Sequence, residues 1–475
     1  MNTELLDLVN LVENSLEADQ NSVKVTNFDV LKTNILKLVR ISALEKNTRA
    51  AVARFLIRGA ALDLGIFPAS IHDLYIARGK GDIAPVFTVP AINLRVLSYY
   101  AARVVFNVAK KINAGALIFE IARSEIGYTD QRPSEYATNI LAAAISEEYF
   151  GPVFLQGDHF QISAGRYKDN PDQEISTVKE LTTEAIHAGF YNIDIDTSTL
   201  VDLSKQTISE QQEVNSSLSA ELTAFIRKHE PAGVTISVGG EIGEVGGHNS
   251  NEEELRAYTN GYIKKLSEQG NEAVGLSKIS IQTGTSHGGV VLPDGSIAQV
   301  SVDFDTLKKL SQIARTDYGM AGAVQHGAST LPQNAFGKFV EAEACEVHLA
   351  TNFQNIFYDH APKELVSKMY AYLDENHANE RKPGMTDDQF YYKSRKRAIG
   401  AFKKDIWDLS EEDKSAISLA WESQFTQLFE SLSIADTKGY VQKYINPVRY
   451  LPSLSSYTKI ISGDQEGEDT TDLAD

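Results

Sequence analysis

Short apolar runs alternate with longer amphipathic stretches through the middle of this chain. The stretches have apolar residues at helical spacing, and each follows an apolar run that is predicted as a strand. Alternation of strand and helix favours a parallel sheet, and eight such units over roughly 270 residues fit an α/β fold, the (β/α)8 TIM barrel. A doubly wound open sheet is the alternative. The eight predicted strands cover 87–94, 116–122, 152–158, 191–196, 234–241, 278–284, 321–326 and 346–351.

The hydrophobic pattern divides the chain into four parts. Residues 1–82 are predicted as a helical N-terminal extension of two or three helices, with no clear strand. The barrel is predicted over 83–358, and a helical C-terminal extension over 359–462. Residues 463–475 are acidic and nearly devoid of apolar side chains, which is typical of a disordered tail.

Composition narrows the class of protein. The net charge of −19 argues against non-specific binding to nucleic acid and against anionic membrane surfaces. The sequence contains neither a recognisable signal peptide nor a long apolar span, so no membrane contact is expected. Cys345 is the single cysteine, which excludes an internal disulfide and fits a cytoplasmic protein.

Titratable side chains cluster at the predicted carboxyl ends of the strands, where TIM barrels place their chemistry. Asp158 and His159 end the third run, Glu241 ends the fifth, His287 follows the sixth and His326 ends the seventh. Three imidazoles and a carboxylate are the donor set of an open catalytic zinc site, although cobalt, manganese or iron would also fit. Alternatively, Asp158 caps a helix and Glu241 is a hydrogen-bond partner of a histidine.

Four ordered motifs, "LQGDHFQI", "GGEIGEVGG", "GTSHGG" and "VQHGAST", resemble the class II, metal-dependent fructose-bisphosphate aldolases and their ketose-bisphosphate relatives. The similarity covers roughly residues 85–358. It implies a metal-dependent aldehyde-lyase that acts in carbohydrate metabolism, such as glycolysis. The implied reaction is the reversible aldol cleavage of a ketose (bis)phosphate, with dihydroxyacetone phosphate as a product. It also implies a phosphorylated sugar as the substrate and a homodimer or homotetramer as the assembly.

The resemblance also implies roles for individual residues. Asp158 matches the catalytic aspartate that moves the proton of the substrate's C4 hydroxyl, and Asp196 matches an acid near the metal. The residues that match zinc ligands are His159, Glu241, His287 and His326. The residues expected to bind the sugar or its phosphate are Asn93, Gly288, Gly327, Ser329, His348 and Thr351.

The chain departs from the family pattern in the loop after the fifth strand. The family has a glutamate there that shuttles the second proton, and the matching positions are His248 and Asn249. Candidate replacements are Glu244, His248 or one of the residues in 252–254. On the eighth strand, His348 stands where the family has an asparagine, and Ala350 where it has an acid.

A second resemblance gives a different function. "IFEIARSEIGYTDQRPSEYA", followed by "LQGDHFQ", is similar to the non-catalytic accessory subunit of tagatose-bisphosphate aldolase. The retained histidine trio favours an enzyme, because an accessory subunit has no need of metal ligands. Another metal-dependent lyase or sugar-processing barrel is the third alternative.

Overall fold

The structure is a computed structural model that describes residues 3–243, 248–270, 274–284, 292, 301–461 and 473. Its strands, all named here in chain order, include the eight that the sequence predicts. They are β1 (Leu16–Ala18), β2 (Val23–Val25), β3 (Ile66–Ala69), β4 (Val89–Asn93), β5 (Ile118–Ala122), β6 (Gly151–Gln161), β7 (Asn192–Asp196), β8 (Ser237–Glu241), β9 (Lys278–Ile281), β10 (Ala323–Gln325) and β11 (Glu346–Leu349).

The eight strands β4 to β11 form a closed parallel barrel. Each strand pairs with the next along the chain, and β11 pairs with β4, with Leu349 opposite Ile92. The barrel is therefore a (β/α)8 TIM barrel, as predicted, and the open doubly wound sheet is excluded. All eight strands run the same way, so their carboxyl ends meet at one rim.

Helices surround the barrel and build both extensions. No helix in the described ranges combines the length and apolarity needed to cross a bilayer. Short 3-10 turns lie at Ser198–Leu200, Gln333–Ala335, Ala378–Glu380 and Arg395–Arg397. The α-helices are α1 (Thr3–Leu11), α2 (Phe28–Leu44), α3 (Thr48–Asp63), α4 (His72–Gly79), α5 (Ser98–Lys111), α6 (Arg123–Tyr128), α7 (Pro133–Ser146), α8 (Ala164–Asp169), α9 (Pro171–Ala188), α10 (Ile208–Gln211), α11 (Glu213–His229), α12 (Glu252–Glu268), α13 (Phe304–Tyr318), α14 (Gly337–Glu341), α15 (Thr351–His360), α16 (Lys363–Asn376), α17 (Asp387–Ser394), α18 (Ala398–Ala401), α19 (Lys403–Trp407), α20 (Glu411–Ser431), α21 (Lys438–Tyr444) and α22 (Leu454–Ile461).

The N-terminal segment contains strands that the helical pattern does not predict. β1 and β2 form a small antiparallel hairpin, with Leu16 opposite Val25. β3 joins the barrel sheet by pairing in parallel with the first residues of β6, with Ile66 opposite Gly151. These strands have three or four residues each, too few to show an alternating pattern between long helices.

The C-terminal extension packs directly onto the barrel helices. In α20 the indole of Trp421, 1% exposed, donates a hydrogen bond from Nε1 to the carbonyl of Phe353 in α15 at 3.0 Å. The rings of Phe353 and Phe425 lie with their centroids 4.8 Å apart. Buried apolar side chains of the N-terminal segment, the barrel and the C-terminal extension form one contiguous core.

Replacing Trp421 with alanine tests whether this extension folds together with the barrel. We expect a loss of about 3–5 kcal/mol in the free energy of unfolding, because a large buried side chain leaves a cavity. Thermal denaturation followed by circular dichroism should show one transition at a lower temperature. Leu419→Ala, on the same helix but 69% exposed, is the matched control and should leave the transition unchanged. Two separate transitions, with only the smaller one shifted, would contradict this prediction.

Candidate active site

Strand β6 carries an irregularity where the sequence places two titratable residues side by side. The register of β6 against β7 shifts between Gly157 and Phe160, and His159 has a left-handed backbone with φ of +38°. In a regular strand, Asp158 and His159 would point to opposite faces. The bulge lets both side chains reach buried partners from other barrel strands.

Gly157 makes this irregularity possible. A β-carbon at position 157 would lie 2.4 Å from the ring of Phe160, so any larger residue would displace that ring. A left-handed conformation at a non-glycine residue costs about 1–3 kcal/mol and persists only when its surroundings enforce it. The register shift and the left-handed residue of the run "GDHF" therefore lie at the point where both Asp158 and His159 have buried side chains.

One cluster of metal-ligand type lies at the rim around His159. Candidate donor atoms of His159, Glu241 and His326 all lie within 4.8 Å of one another. Nδ1 of His159 is 3.3 Å from Oε2 of Glu241 and 2.9 Å from Oδ2 of Asp196. Each of these four residues is at most 4% exposed. His287 and Gly288 lie outside the described residues.

The carboxylates of this cluster favour a positive charge among them. Burial opposes the charge of His159, but Asp158 and Glu241 hold its pKa well above the usual value. Burial, followed by the charge of Asp196, raises the pKa of Glu241 to about 7. Burial, followed by the neighbouring His348, lowers the pKa of His326 to about 3, so that ring is neutral, the form that binds metal ions. Two imidazoles and a carboxylate that converge in this way fit the donor chemistry of a divalent metal such as zinc.

A second cluster surrounds Asp158 on the other side of His326. Oδ1 of Asp158 lies 3.4 Å from Nε2 of His326 and 3.2 Å from Nδ1 of His348. The same His348 nitrogen is 3.0 Å from Oε2 of Glu120. Burial opposes ionisation of Asp158, but the charges of His159 and His348 hold its pKa well below the usual range. Asp158 is therefore a carboxylate, able to accept a proton.

A buried ion network lies next to this cluster in the barrel interior. Lys278, at the start of β9 and fully buried, donates from Nζ to Asp194 at 2.9 Å and to Glu346 at 2.5 Å. Gln156 accepts a third hydrogen bond from Nζ at 2.7 Å and donates to Glu346 at 2.9 Å. Nε2 of His348 lies 2.7 Å from Glu346, which joins the network to the Asp158 cluster.

Most residues predicted to contact substrate line one small cavity. Asn93 ends β4, Gly327 and Ser329 follow β10, and Thr351 begins α15. The hydroxyl of Ser329 accepts a hydrogen bond from the backbone N–H of Ala350 at 2.6 Å. The cavity is lined by Asn93, Arg95, Glu120, Asp158, His326, Gly327, Ser329, His348, Leu349, Ala350 and Thr351.

The structure brings in Arg95, Glu120, Lys278 and Glu346, which the sequence reasoning does not single out as site residues. Their signal in the sequence is a lone charged residue within or just after an apolar run, as in "IFEIA".

Of the suggested replacements for the family glutamate, Glu244 lies outside the described residues. His248 is largely exposed and is held 2.6 Å from Glu254, the residue that completes the N-terminal cap of α12.

Comparisons with known proteins agree with this architecture. Residues 84–410, more than half of the chain, match the family model described as fructose-bisphosphate aldolase class-II. One similar crystal structure is titled a probable tagatose 6 phosphate kinase from Sinorhizobium meliloti 1021. Its sequence is 16% identical and its TM-score is 0.51. The match covers 75% of this chain and 99% of that one. This likeness shows a shared fold.

A fructose-bisphosphate aldolase from Campylobacter jejuni also matches, at 17% identity with a TM-score of 0.45, over 76% of this chain and 93% of that one.

Replacing Lys278 with methionine tests the buried network. The change leaves Asp194 and Glu346 without their cation, so we expect a loss of about 3–5 kcal/mol in the free energy of unfolding. Lys309→Met is the matched control, because Lys309 is 62% exposed and pairs with Glu252 at the surface, a contact worth about 0–1 kcal/mol. Denaturant titration of both variants measures the difference. Equal losses in the two variants would show that the buried network is not needed for stability.

Proposed function

Because the chain belongs to the class II fructose-bisphosphate aldolase family, we propose that it is a metal-dependent lyase that reversibly cleaves a phosphorylated ketose. The observation that carries this proposal is the bulge in β6, which brings Asp158 and His159 together in the barrel interior. Asp158 borders the small cavity and His159 belongs to the rim cluster of imidazole and carboxylate groups. A strand that served only the core would have no need of this strained backbone.

The residues that would hold the metal are His159, Glu241 and His326, together with His287 from the sequence match. We propose zinc, because imidazole and carboxylate donors suit it, although another divalent metal could take the same ligands. When bound, the cation would act as a Lewis acid on the ketose carbonyl. Asp196 orients His159 by accepting a hydrogen bond from its Nδ1 at 2.9 Å.

Asp158 is proposed to move the proton at the C4 hydroxyl. Its carboxylate accepts that proton while the C3–C4 bond breaks, and the bond's electron pair passes to the C3 side. One product is an aldehyde. The other becomes dihydroxyacetone phosphate when C3 takes up a proton from solvent, and Asp158 releases the proton it accepted to solvent, so that the step balances. In the synthetic direction the same group returns the proton to the aldehyde oxygen. His348, 3.2 Å from Oδ1 of Asp158, helps keep that carboxylate ionised.

The substrate end of the cavity is proposed to bind phosphate through the segment after β10. Gly327 has φ of +67°, which brings the backbone close to the cavity without a side chain. Backbone N–H groups in such a turn, with the hydroxyl of Ser329, suit phosphate oxygens.

Three further points stay predictions from the sequence: a role in carbohydrate metabolism, a homodimeric or homotetrameric assembly, and a cytoplasmic location.

Metal content is the first test of this function. We expect about one zinc-like ion per chain in the wild-type protein, purified without chelators and measured by elemental analysis. His159→Ala, His287→Ala and His326→Ala should each lose it, because each removes one proposed ligand. His229→Ala, at the exposed end of α11, is the control and should retain the metal. A folded, metal-free wild type would favour the alternative, a non-catalytic accessory subunit.

Asp158→Asn tests the proton transfer separately from metal binding. We expect a roughly 100- to 10,000-fold loss of ketose-bisphosphate cleavage, the range for removing a general base. Metal content should stay at the wild-type level, since Asp158 is not a proposed ligand. Asp172→Asn, an exposed acid at the start of α9, should leave the rate unchanged. Nearly wild-type cleavage by Asp158→Asn would overturn the proposed role.

A further inference from the structure

The rim cluster depends on two strand ends that do not pair with each other. The register of β7 against β8 ends at Asp194 opposite Gly239. Asp196, which accepts a hydrogen bond from His159, and Glu241, a proposed metal ligand, both lie two residues beyond that point. Hydrogen bonds between these two strands therefore do not fix the distance between the two carboxyl groups.

Each strand end is bound instead to its other neighbour in the sheet. Glu241 lies opposite Ser280 of β9, and the backbone N–H of Ile242 donates to the carbonyl of Ser280 at 3.2 Å. The end of β7 pairs with β6, with Asp196 opposite Gln161. The ladder between β7 and β8 therefore ends below the level at which both carboxyl groups approach the same imidazole.

One buried amide, that of Asn215 in the first turn of α11, connects the two strand ends. Its Nδ2 donates to the backbone carbonyl of Glu241 at 2.9 Å, and its Oδ1 accepts from the hydroxyl of Thr197 at 2.6 Å. Thr197 directly follows Asp196 in the chain. Both Asn215 and Thr197 are fully buried, which strengthens these hydrogen bonds because water does not compete for them.

Gln212 adds a second contact from the same turn of the helix. Its Nε2 donates to the backbone carbonyl of Ile242 at 2.8 Å, and its Oε1 accepts from Nδ2 of Asn215 at 2.9 Å. An N-cap side chain usually accepts from the first N–H groups of its helix, but that of Gln212 caps none of the described ones. Two amides of this turn are thus used to hold the end of β8.

Thr197 extends the contact to the next helix. Its hydroxyl lies 2.8 Å from that of Ser219, which accepts from the hydroxyl of Tyr258 in α12 at 2.9 Å. A β-carbon at Gly240 would lie 2.4 Å from the same Tyr258 oxygen, so this ring also packs closely against β8. Side chains of α11 and α12 therefore hold the ends of β7 and β8 in one buried polar network.

We propose that Asn215 is a positioning residue that holds Glu241 at the separation from Asp196 and His159 that metal binding requires. The inference rests on the proposed function, in which His159 and Glu241 are metal ligands. Asn215 contacts the backbone of Glu241, so it acts through that ligand. An amide of this size supplies two donors and an acceptor at once, which neither a hydroxyl nor a carboxylate can do. Ligands that are held in place before binding take up a metal more tightly.

The zinc affinity of the full-length protein tests this role. The protein is stripped of metal, and zinc is titrated in competition with a chromophoric chelator of known affinity. The main variant is Asn215→Ala, which removes all three hydrogen bonds of the amide. Thr197→Val removes only the hydroxyl from which Asn215 accepts, and Thr197→Ser restores it.

Asn192→Ala is the matched control for the loss of a buried amide. Asn192 is also fully buried, and its side chain makes three hydrogen bonds, all to backbone groups. It begins β7, however, at the opposite end of the strand from Asp196. This variant should unfold at a lower temperature and keep the zinc affinity of the wild type.

We expect Asn215→Ala to bind zinc about 10- to 100-fold more weakly, the range for losing a group that orients a ligand. Thr197→Val should show a smaller loss, and Thr197→Ser should stay near the wild type. Wild-type zinc affinity in folded Asn215→Ala, or an equal loss in Asn192→Ala, would overturn the role. If Asn215→Ala does not fold, equal zinc affinities of Thr197→Val and Thr197→Ser would overturn it.

Cleavage assays on the wild type separate this inference from the proposed function. Zinc binding that depends on Asn215, in a protein that cleaves neither fructose 1,6-bisphosphate nor fructose 1-phosphate, would support the positioning role and contradict the lyase function. Cleavage by a protein whose zinc affinity does not depend on Asn215 would have the opposite meaning. A wild type that binds no zinc would overturn the positioning role together with the zinc site.

Discussion

The site depends on one departure from regular strand geometry. Neighbouring residues of a β-strand point to opposite faces, so a barrel strand can offer only every second side chain to the interior. β6 avoids this limit between Gly157 and Phe160, where the left-handed backbone at His159 makes two consecutive side chains available. His159 can then join the rim cluster of Glu241 and His326, while Asp158 borders the cavity.

The second constraint is the charge inside the barrel. Asp158, Glu120, Asp194 and Glu346 are all buried there, and Lys278 is the amine that joins two of them. Burial raises the pKa of Asp194 and Glu120, whereas Lys278 holds the pKa of Glu346 below its usual range. The interior therefore combines one carboxylate that Lys278 keeps ionised, Glu346, with carboxyl groups whose charge burial disfavours. The same buried groups affect both the stability of the barrel and the electrostatics of the site.

The sequence predicts the barrel well because its evidence is local. Apolar runs, their helical connections and their number are visible within short windows, and the eight strands lie where these runs are. Local evidence is less accurate at the ends of the strands. Thr351 is predicted at the end of a strand but begins α15, and the run at 152–158 continues to Gln161. The register shift that extends it depends on β7, which lies more than thirty residues along the chain.

The buried network shows why part of the site escapes sequence reasoning. "NIDID", "KISI" and "EVHL" alternate polar and apolar residues, a pattern that usually indicates a strand with one face in water. In this barrel the polar residues of these three strands are buried, and Lys278 contacts both Asp194 and Glu346 in the interior. Lys278 finds partners 84 and 68 residues away, at Asp194 and Glu346, so no spacing along the chain reveals the pairing. Only closure of the barrel, which makes β4 and β11 neighbours, brings Arg95 and Ser329 to one cavity.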